Sequence, residues 1–214
     1  MKKLLKLAIG IISCVFVAYL IGGSCGRFFA KQARRTEEYS VKKANRSLPP
    51  YKYGSKTLPK SGVPEYIFEK HGFAVKFPEK PKVTNWGKIV QYEFGAKTET
   101  TATYNILVAT LEGPLLTNEA IESELEGYLQ GRIRSFGDTG KLVNSHEVLF
   151  LDHRALDYEY TKEVEGFKSY FKGVHFVAGN MSYTISVANI EGTKPSAYQK
   201  YDDFVRSFRL AKNY

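Results

Sequence analysis

The sequence predicts an α+β domain, an antiparallel β-sheet sandwiched by helices, preceded by an N-terminal transmembrane helix. Three observations predict this architecture. Residues 7–26 contain no charged residue, strand patterns lie on both sides of one amphipathic helix, and a second helix closes the chain. The order strands, helix, strands, helix is typical of antiparallel pairing rather than of alternating βαβ units.

The uncharged segment 7–26 is long enough to cross a membrane, because a helix of this length spans about 30 Å, the thickness of a bilayer's hydrocarbon core. We predict that residues 1–26 form a transmembrane helix or signal anchor. Two alternatives stay open. Residues 1–24 resemble a cleavable signal peptide, although the apolar run exceeds the usual length of about 7–15 residues. Ile11-Ile12-Ser13-Cys14 resembles a lipobox, with Cys14 as the lipidated residue.

Two features of the sequence favour opposite orientations of this segment in the membrane. Basic residues are slightly more frequent on its C-terminal side than on its N-terminal side, where only Lys2, Lys3 and Lys6 lie, and this count favours a cytoplasmic domain. The signal-like N-terminus and the length of the following domain favour export, because long domains translocate largely regardless of charge. We predict an extracytoplasmic domain, periplasmic or on the cell surface.

The positive charge of the chain is concentrated beside the apolar segment. Residues 1–60 contain 13 Lys and Arg and two acidic residues, whereas residues 61–214 contain 18 basic and 20 acidic residues. The globular part therefore has a net charge of about −2, and nothing in it suggests nucleic-acid binding, for which a basic face is the first requirement. Residues 27–62 are polar, basic and interrupted by prolines, which predicts a juxtamembrane linker beside the lipid bilayer. Its basic residues can attract anionic lipid headgroups, but we favour a solvated tether that stops translocation or fixes the topology.

Residues 63–214 are predicted to form one domain. Both cysteines, Cys14 and Cys25, lie in the apolar segment, so this domain has no disulfide, thiolate metal site or cysteine nucleophile. Period-2 alternation and β-branched residues predict early strands over residues 66–68, 73–77, 89–94 and 102–110.

A helix follows these strands. Thr117 or Asn118 can cap it, and Gly137 ends it. Its apolar stripe consists of Ile121, Leu125, Tyr128, Leu129 and Ile133.

Four further strands are predicted over residues 142–151, 154–162, 167–177 and 181–188. Gly179-Asn180 joins the last two and is typical of a tight hairpin. Pro195 opens the final helix, whose apolar stripe consists of Tyr198, Tyr201, Phe204, Val205 and Phe208.

Several short motifs in this order resemble the PsbP-like α/β/α sandwich superfamily. They are His71-Gly72-Phe73-Ala74-Val75-Lys76-Phe77-Pro78 with Pro81, Tyr104 in a strand, the Gly179-Asn180-Met181-Ser182-Tyr183 hairpin, and the terminal Phe204-Val205-Arg206-Ser207-Phe208-Arg209-Leu210. This group includes an extrinsic lumenal subunit of photosystem II, a nuclear-import factor that binds the GTPase Ran, and many bacterial exported domains. The resemblance covers residues 65–211 and implies a membrane-anchored, envelope-type bacterial member, but it carries no binding or catalytic residue over.

Catalytic motifs are absent from the predicted domain: residues 63–214 contain no phosphate-binding glycine loop, no G-x-S-x-G and no H-E-x-x-H. If residues 153–159 form a strand, His153, Asp157 and Glu159 share one face and could bind a divalent ion with His175 from a neighbouring strand. The alternative is an ordinary charged surface, which we favour. Trp86 is predicted to lie in a loop, either as a partner contact or, as we favour, folded over the sheet edge.

These observations predict a non-enzymatic interaction module that is membrane-anchored and extracytoplasmic, with an envelope or membrane protein as its partner. The alternative is a domain that binds a small ligand or a divalent metal. We assign no catalytic, cofactor or metal residue, and we expect no cofactor and no nucleic-acid partner. The sequence does not specify the oligomeric state.

Overall fold

A computed structural model describes residues 48–52, 62–95, 102–115, 117–136, 140–164, 167–189 and 194–211. The predicted transmembrane segment and most of the predicted linker lie outside these residues. Within the described part of the chain, no helix is both long enough and apolar enough to cross a membrane.

The described chain forms ten strands and two α-helices. The strands are β1 Glu65–Phe68, β2 Phe73–Lys76, β3 Lys82–Trp86, β4 Ile89–Gly95, β5 Ala102–Thr110, β6 Gly140–Phe150, β7 His153–Val164, β8 Phe167–Ala178, β9 Met181–Asn189 and β10 Arg209–Leu210. The helices are α1 Asn118–Phe136 and α2 Lys194–Ser207, and Glu69–His71 form a single 3₁₀ turn. The predicted α+β class is confirmed.

Seven strands form one antiparallel sheet in the order β3-β4-β5-β9-β8-β7-β6. The Gly179-Asn180 turn joins β8 to β9 as predicted, and Gly179 has a φ of +62°, a conformation that glycine adopts without strain. A second, three-stranded sheet has the order β1-β2-β10.

Helix α1 covers only part of one face of the large sheet. It contacts β6, β7 and β8, and its buried Ile121, Leu125 and Leu129 pack on Leu156, Tyr158 and Tyr160 of β7. Ile133, which was assigned to the same apolar stripe, is exposed instead. The Oγ1 of Thr117, rather than the side chain of Asn118, caps the helix by accepting a hydrogen bond from the N–H of Ala120 at 3.1 Å.

Helix α2 and the small sheet cover the opposite face, where the main core lies. Tyr201, Phe204, Val205 and Phe208 contribute to this core. Phe73 of β2 stacks on Phe208 with ring centroids 5.3 Å apart. The aromatic and aliphatic residues of the motifs therefore lie in the core, whereas Gly179 and Asn180 form an exposed turn. Core and turn residues specify a fold without specifying a site.

Three features differ from the sequence-based expectation. Strand β3 was not predicted, and the end of the chain was expected to run on from the final helix, whereas Arg209–Leu210 form β10 against β2. Residues 48–52, within the predicted linker, pack against β6: the N–H of Tyr51 donates to the carbonyl of Leu149, and the N–H of Leu149 donates to that of Pro49, both at 2.8 Å. The ring of Tyr51 is buried against Phe150.

Candidate interaction surface

The β3–β4 hairpin presents exposed apolar side chains on the part of the sheet that α1 leaves uncovered. Trp86 ends β3 and pairs directly with Ile89, the first residue of β4. Trp86 is 57% exposed and Ile89 is 43% exposed. Side chains of directly opposed residues lie on the same face of a sheet, so the indole and the isoleucine form one apolar patch.

The turn that carries this patch is held in place by hydrogen bonds. Gly87 has a φ of +77°, which a two-residue hairpin with glycine first requires. Its N–H donates to Asn85 Oδ1 at 2.9 Å, and the N–H of Thr110 donates to the carbonyl of Lys88 at 2.8 Å. The patch is therefore tied to β5 and presented on a fixed backbone.

The placement of Trp86 corrects the prediction made from the sequence. Trp86 belongs to strand β3 and not to a loop, and more than half of its surface is exposed. The contribution of Ile89 and Val83 was missed altogether. Val83 alternates onto the opposite face of β3 and is 54% exposed, so this edge strand carries an exposed apolar side chain on each face.

The four residues considered for a metal site, which we did not favour, do not converge. His153, Asp157 and Glu159 do alternate onto one face of β7, as expected. However, His175 pairs opposite Leu156 and lies on the other face, stacked on Tyr128 of α1 with ring centroids 3.8 Å apart. No group of three or more His, Cys, Asp or Glu side chains in the described ranges is arranged to hold a metal ion.

Asp157 is instead a buried acid in the core beneath α2. It is 7% exposed, and its Oδ2 lies 3.7 Å from His146 Nε2. Burial raises the pKa of Asp157 to about 6, although the positive charges of Lys172 and His146 oppose this shift. Its carboxylate is therefore ionised at neutral pH at a cost to stability.

His175 is a buried base on the α1 side of the sheet. It is 1% exposed, and its Nδ1 is 2.9 Å from Thr184 Oγ1. Burial lowers the pKa of His175 to about 3, and the nearby positive charge of Arg132 adds to the shift. The ring is therefore neutral across the physiological range and has a structural role.

Two arginines, Arg154 of β7 and Arg132 of α1, contribute to the packing of α1 on the sheet. Arg154 Nη1 lies 2.6 Å from Glu122 of the helix, and the same side chain forms an ion pair with Glu147 of β6. The guanidinium of Arg132 lies over the rings of Tyr128 and Tyr160. These contacts hold the helix over β6–β8, so α1 does not cover β3–β5 in the described part of the chain.

A groove of about 260 Å³ lies between β2, β5 and α2. Its lining consists of Val63, Lys76, Pro78, Tyr104, Lys200, Asp203 and Phe204. The apolar floor with three charged side chains gives it the character of a small binding cleft.

The architecture is similar to that of the cyanobacterial PsbP protein, CyanoP, from Synechocystis. Its solution structure matches with a TM-score of 0.53 at 13% identity, over 75% of this chain and 97% of that one. The fold is therefore PsbP-like, and the predicted fold resemblance is confirmed.

Two further structures share less of the architecture. A protein from Bacteroides thetaiotaomicron matches with a TM-score of 0.42 at 12% identity, over 72% of this chain and 50% of that one. A protein of unknown function from Pseudomonas aeruginosa matches with a TM-score of 0.39 at 10% identity, over 66% and 94%. No protein-family profile and no curated protein matches the sequence.

Proposed function

We propose that this protein is a membrane-anchored, non-enzymatic interaction module whose contact surface is the β3–β4 hairpin. The observation that supports this function is the exposed pair Trp86 and Ile89 on a rigid turn. Tryptophan is enriched among the few residues that dominate binding energy at protein interfaces. A fixed backbone also lowers the entropy lost when such a side chain binds a partner.

The environments of the histidines favour binding over catalysis. A ring nitrogen of His71 bonds to the hydroxyl of Tyr92, and a ring nitrogen of His175 bonds to that of Thr184. Both histidines are buried, so neither pair is open to a substrate. A histidine–hydroxyl pair activates a nucleophile only where a substrate can reach the hydroxyl.

The proposal places the domain outside the cytoplasm, with residues 7–26 as its membrane anchor and the basic residues after them near the lipid headgroups. Each Lys or Arg close to an anionic surface contributes about 1 kcal/mol of attraction. The partner we propose is an envelope or membrane protein, because an anchored domain meets such proteins at high effective concentration.

The topology is tested by fusing alkaline phosphatase, and separately green fluorescent protein, after Tyr214. We expect phosphatase activity without fluorescence, because the phosphatase is active only after export, whereas the fluorescent protein needs the cytoplasm to fold. Fluorescence without phosphatase activity would place the domain in the cytoplasm and contradict the proposed location.

The contact surface is tested by replacing Ile89 with photoreactive p-benzoylphenylalanine in intact cells. We expect a discrete covalent adduct with a protein after irradiation, because residue 89 would lie inside the interface. The matched control carries the same group at Val143, which is 48% exposed on the other edge strand of the sheet. Equal labelling from both positions, or no adduct from residue 89, would contradict the hairpin as the contact surface.

The groove beside α2 supports the alternative, a domain that binds a small ligand. Its volume of about 260 Å³ lies below the range of about 300–1,000 Å³ usual for small-molecule sites. This size favours a single inserted side chain or a short ligand, so the groove supports a secondary function less strongly than the hairpin supports the first.

A further inference from the structure

The outer edge of β3 is a strand edge that no segment in the described part of the chain pairs with. Strand β3 ends the large sheet, and among the described residues no other strand pairs with its outer side. An edge strand presents unpaired N–H and C=O groups that can pair with another chain. Proteins usually block such edges with prolines, bulges or covering segments.

The two edge strands of this sheet differ in whether a bulge or a covering segment protects them. Strand β6, at the opposite edge, has a register shift between Leu142 and Asn144 and is covered at Leu149 by residues 49–51. Strand β3 contains no proline, and it pairs with β4 without interruption from Lys82 to Trp86. Its one charged residue is Lys82, at the start of the strand.

The residues of β3 are complementary to themselves. When two copies of the strand run antiparallel about a twofold axis at Thr84, Lys82 of each copy lies opposite Trp86 of the other. Directly opposed side chains share a face, so the Lys82 ammonium can lie over the indole in a cation–π contact. In the same register the two Thr84 side chains lie opposite each other and form a favourable cross-strand pair. Val83 of each copy lies opposite Asn85 of the other.

We propose that the partner of the hairpin is a second copy of this chain, paired antiparallel through β3 about Thr84. This inference rests on the proposed function, because it names the partner of that same surface. A five-residue strand buries less area than a standard interface, so the association is weak in dilute solution. Two domains tethered to one membrane have a high effective concentration, which makes a weak contact sufficient.

The register is tested by disulfide trapping in the full-length chain, with both native cysteines removed by Cys14→Ala and Cys25→Ala. We expect Thr84→Cys to form a disulfide-linked dimer in membranes under mild oxidation. Opposed residues of an antiparallel pair have Cα atoms about 4.5–5.5 Å apart, within the range a disulfide spans. Lys82→Cys is the matched control and should form no dimer, because this residue lies four positions from its own copy along the paired strands.

A second pair of variants tests the register without relying on one position. Chains with Val83→Cys and Asn85→Cys should cross-link to each other when co-expressed, but not when each is expressed alone. Lys82→Glu in the Thr84→Cys chain should abolish the dimer, whereas Lys82→Arg should retain it, because the cation–π contact needs a positive charge. A thermal melt of each variant confirms that the exposed substitutions leave the domain folded.

The outcomes separate this inference from the proposed function. If Thr84→Cys forms no dimer while residue 89 still cross-links to a different protein, the self-pairing is wrong and the interaction surface stands. If Thr84→Cys and Lys82→Cys cross-link equally, the proposed register is wrong. If neither position 84 nor position 89 yields any adduct, both proposals fail.

Discussion

Gly173→Ala is expected to destabilise the domain by about 3 kcal/mol or more, the cost of inserting an atom into a packed core and disturbing a buried hydrogen bond. A Cβ at residue 173 would lie 2.3 Å from Tyr158 Oη and 2.4 Å from its Cζ. The Tyr158 ring cannot move aside freely, because it is buried and its hydroxyl is 2.7 Å from that of Tyr128.

The measurement is chemical denaturation of the purified chain, with the midpoint and slope compared between variants. Gly127→Ala is the matched control, since nothing lies within 4 Å of the Cβ it would add to α1. In a helix this change should stabilise the domain by about 0.5–1 kcal/mol. A Gly173→Ala chain as stable as the native one would show that Tyr158 does not pack over β8 as described.

Asp157→Asn is expected to make the domain sensitive to acid, because it removes one of two buried groups whose titrations offset each other. The pKa of His175 is about 3 in the folded chain, below its ordinary value of 6.5. The neutral ring is therefore favoured by folding, and its contribution to stability is lost as the pH falls below 6.5. At about pH 4.5 this loss amounts to about 3 kcal/mol.

Asp157 acts in the opposite direction. Its pKa is about 6 in the folded chain and 3.8 ordinarily, so the folded state binds the proton more tightly. Its contribution to stability is present at acidic pH and is lost as the pH rises through 6. As the pH falls from about 7.5 to 4.5, protonation of Asp157 raises the free energy of unfolding by about 2 kcal/mol. This gain nearly cancels the loss from His175.

Denaturation of three chains at both pH values measures the two contributions separately. From pH 7.5 to 4.5 we expect the free energy of unfolding to fall by about 1 kcal/mol in the native chain and by about 3 kcal/mol in Asp157→Asn. In His175→Gln the free energy of unfolding should rise over the same fall in pH, because Asp157 still gains stability and the loss from His175 is gone. Differences between the chains remove the contribution of the other titrating groups, and parallel pH profiles for all three would contradict both pKa shifts.

The elements with a buried face were predictable from the sequence. Strand β5 matches its predicted range of residues 102–110, and the other long strands differ by a few residues at their ends. Alternating burial leaves a period of two in the residues, and aromatic and β-branched side chains strengthen it. The amphipathic stripes of α1 and α2 follow from the same cause with the helical period.

Strand β3 could not be predicted because it has no buried face. Four of its five residues are exposed and Thr84 is half-buried, so burial imposes no period on them. It forms because its backbone pairs with β4. The exposure of Trp86 could not be predicted from the sequence either, because it depends on α1 packing over β6–β8 rather than over β3–β5.

The sequence by itself determined the α+β class and the common face of His153, Asp157 and Glu159, because local periodicity encodes both. It also carried the short motifs that resemble the PsbP-like superfamily. Only the tertiary structure decided that His175 lies on the other face, since this depends on the register between β7 and β8. It also decided which edge of the sheet is covered and which is open. Those features depend on contacts between distant segments, and no local pattern of residues specifies them.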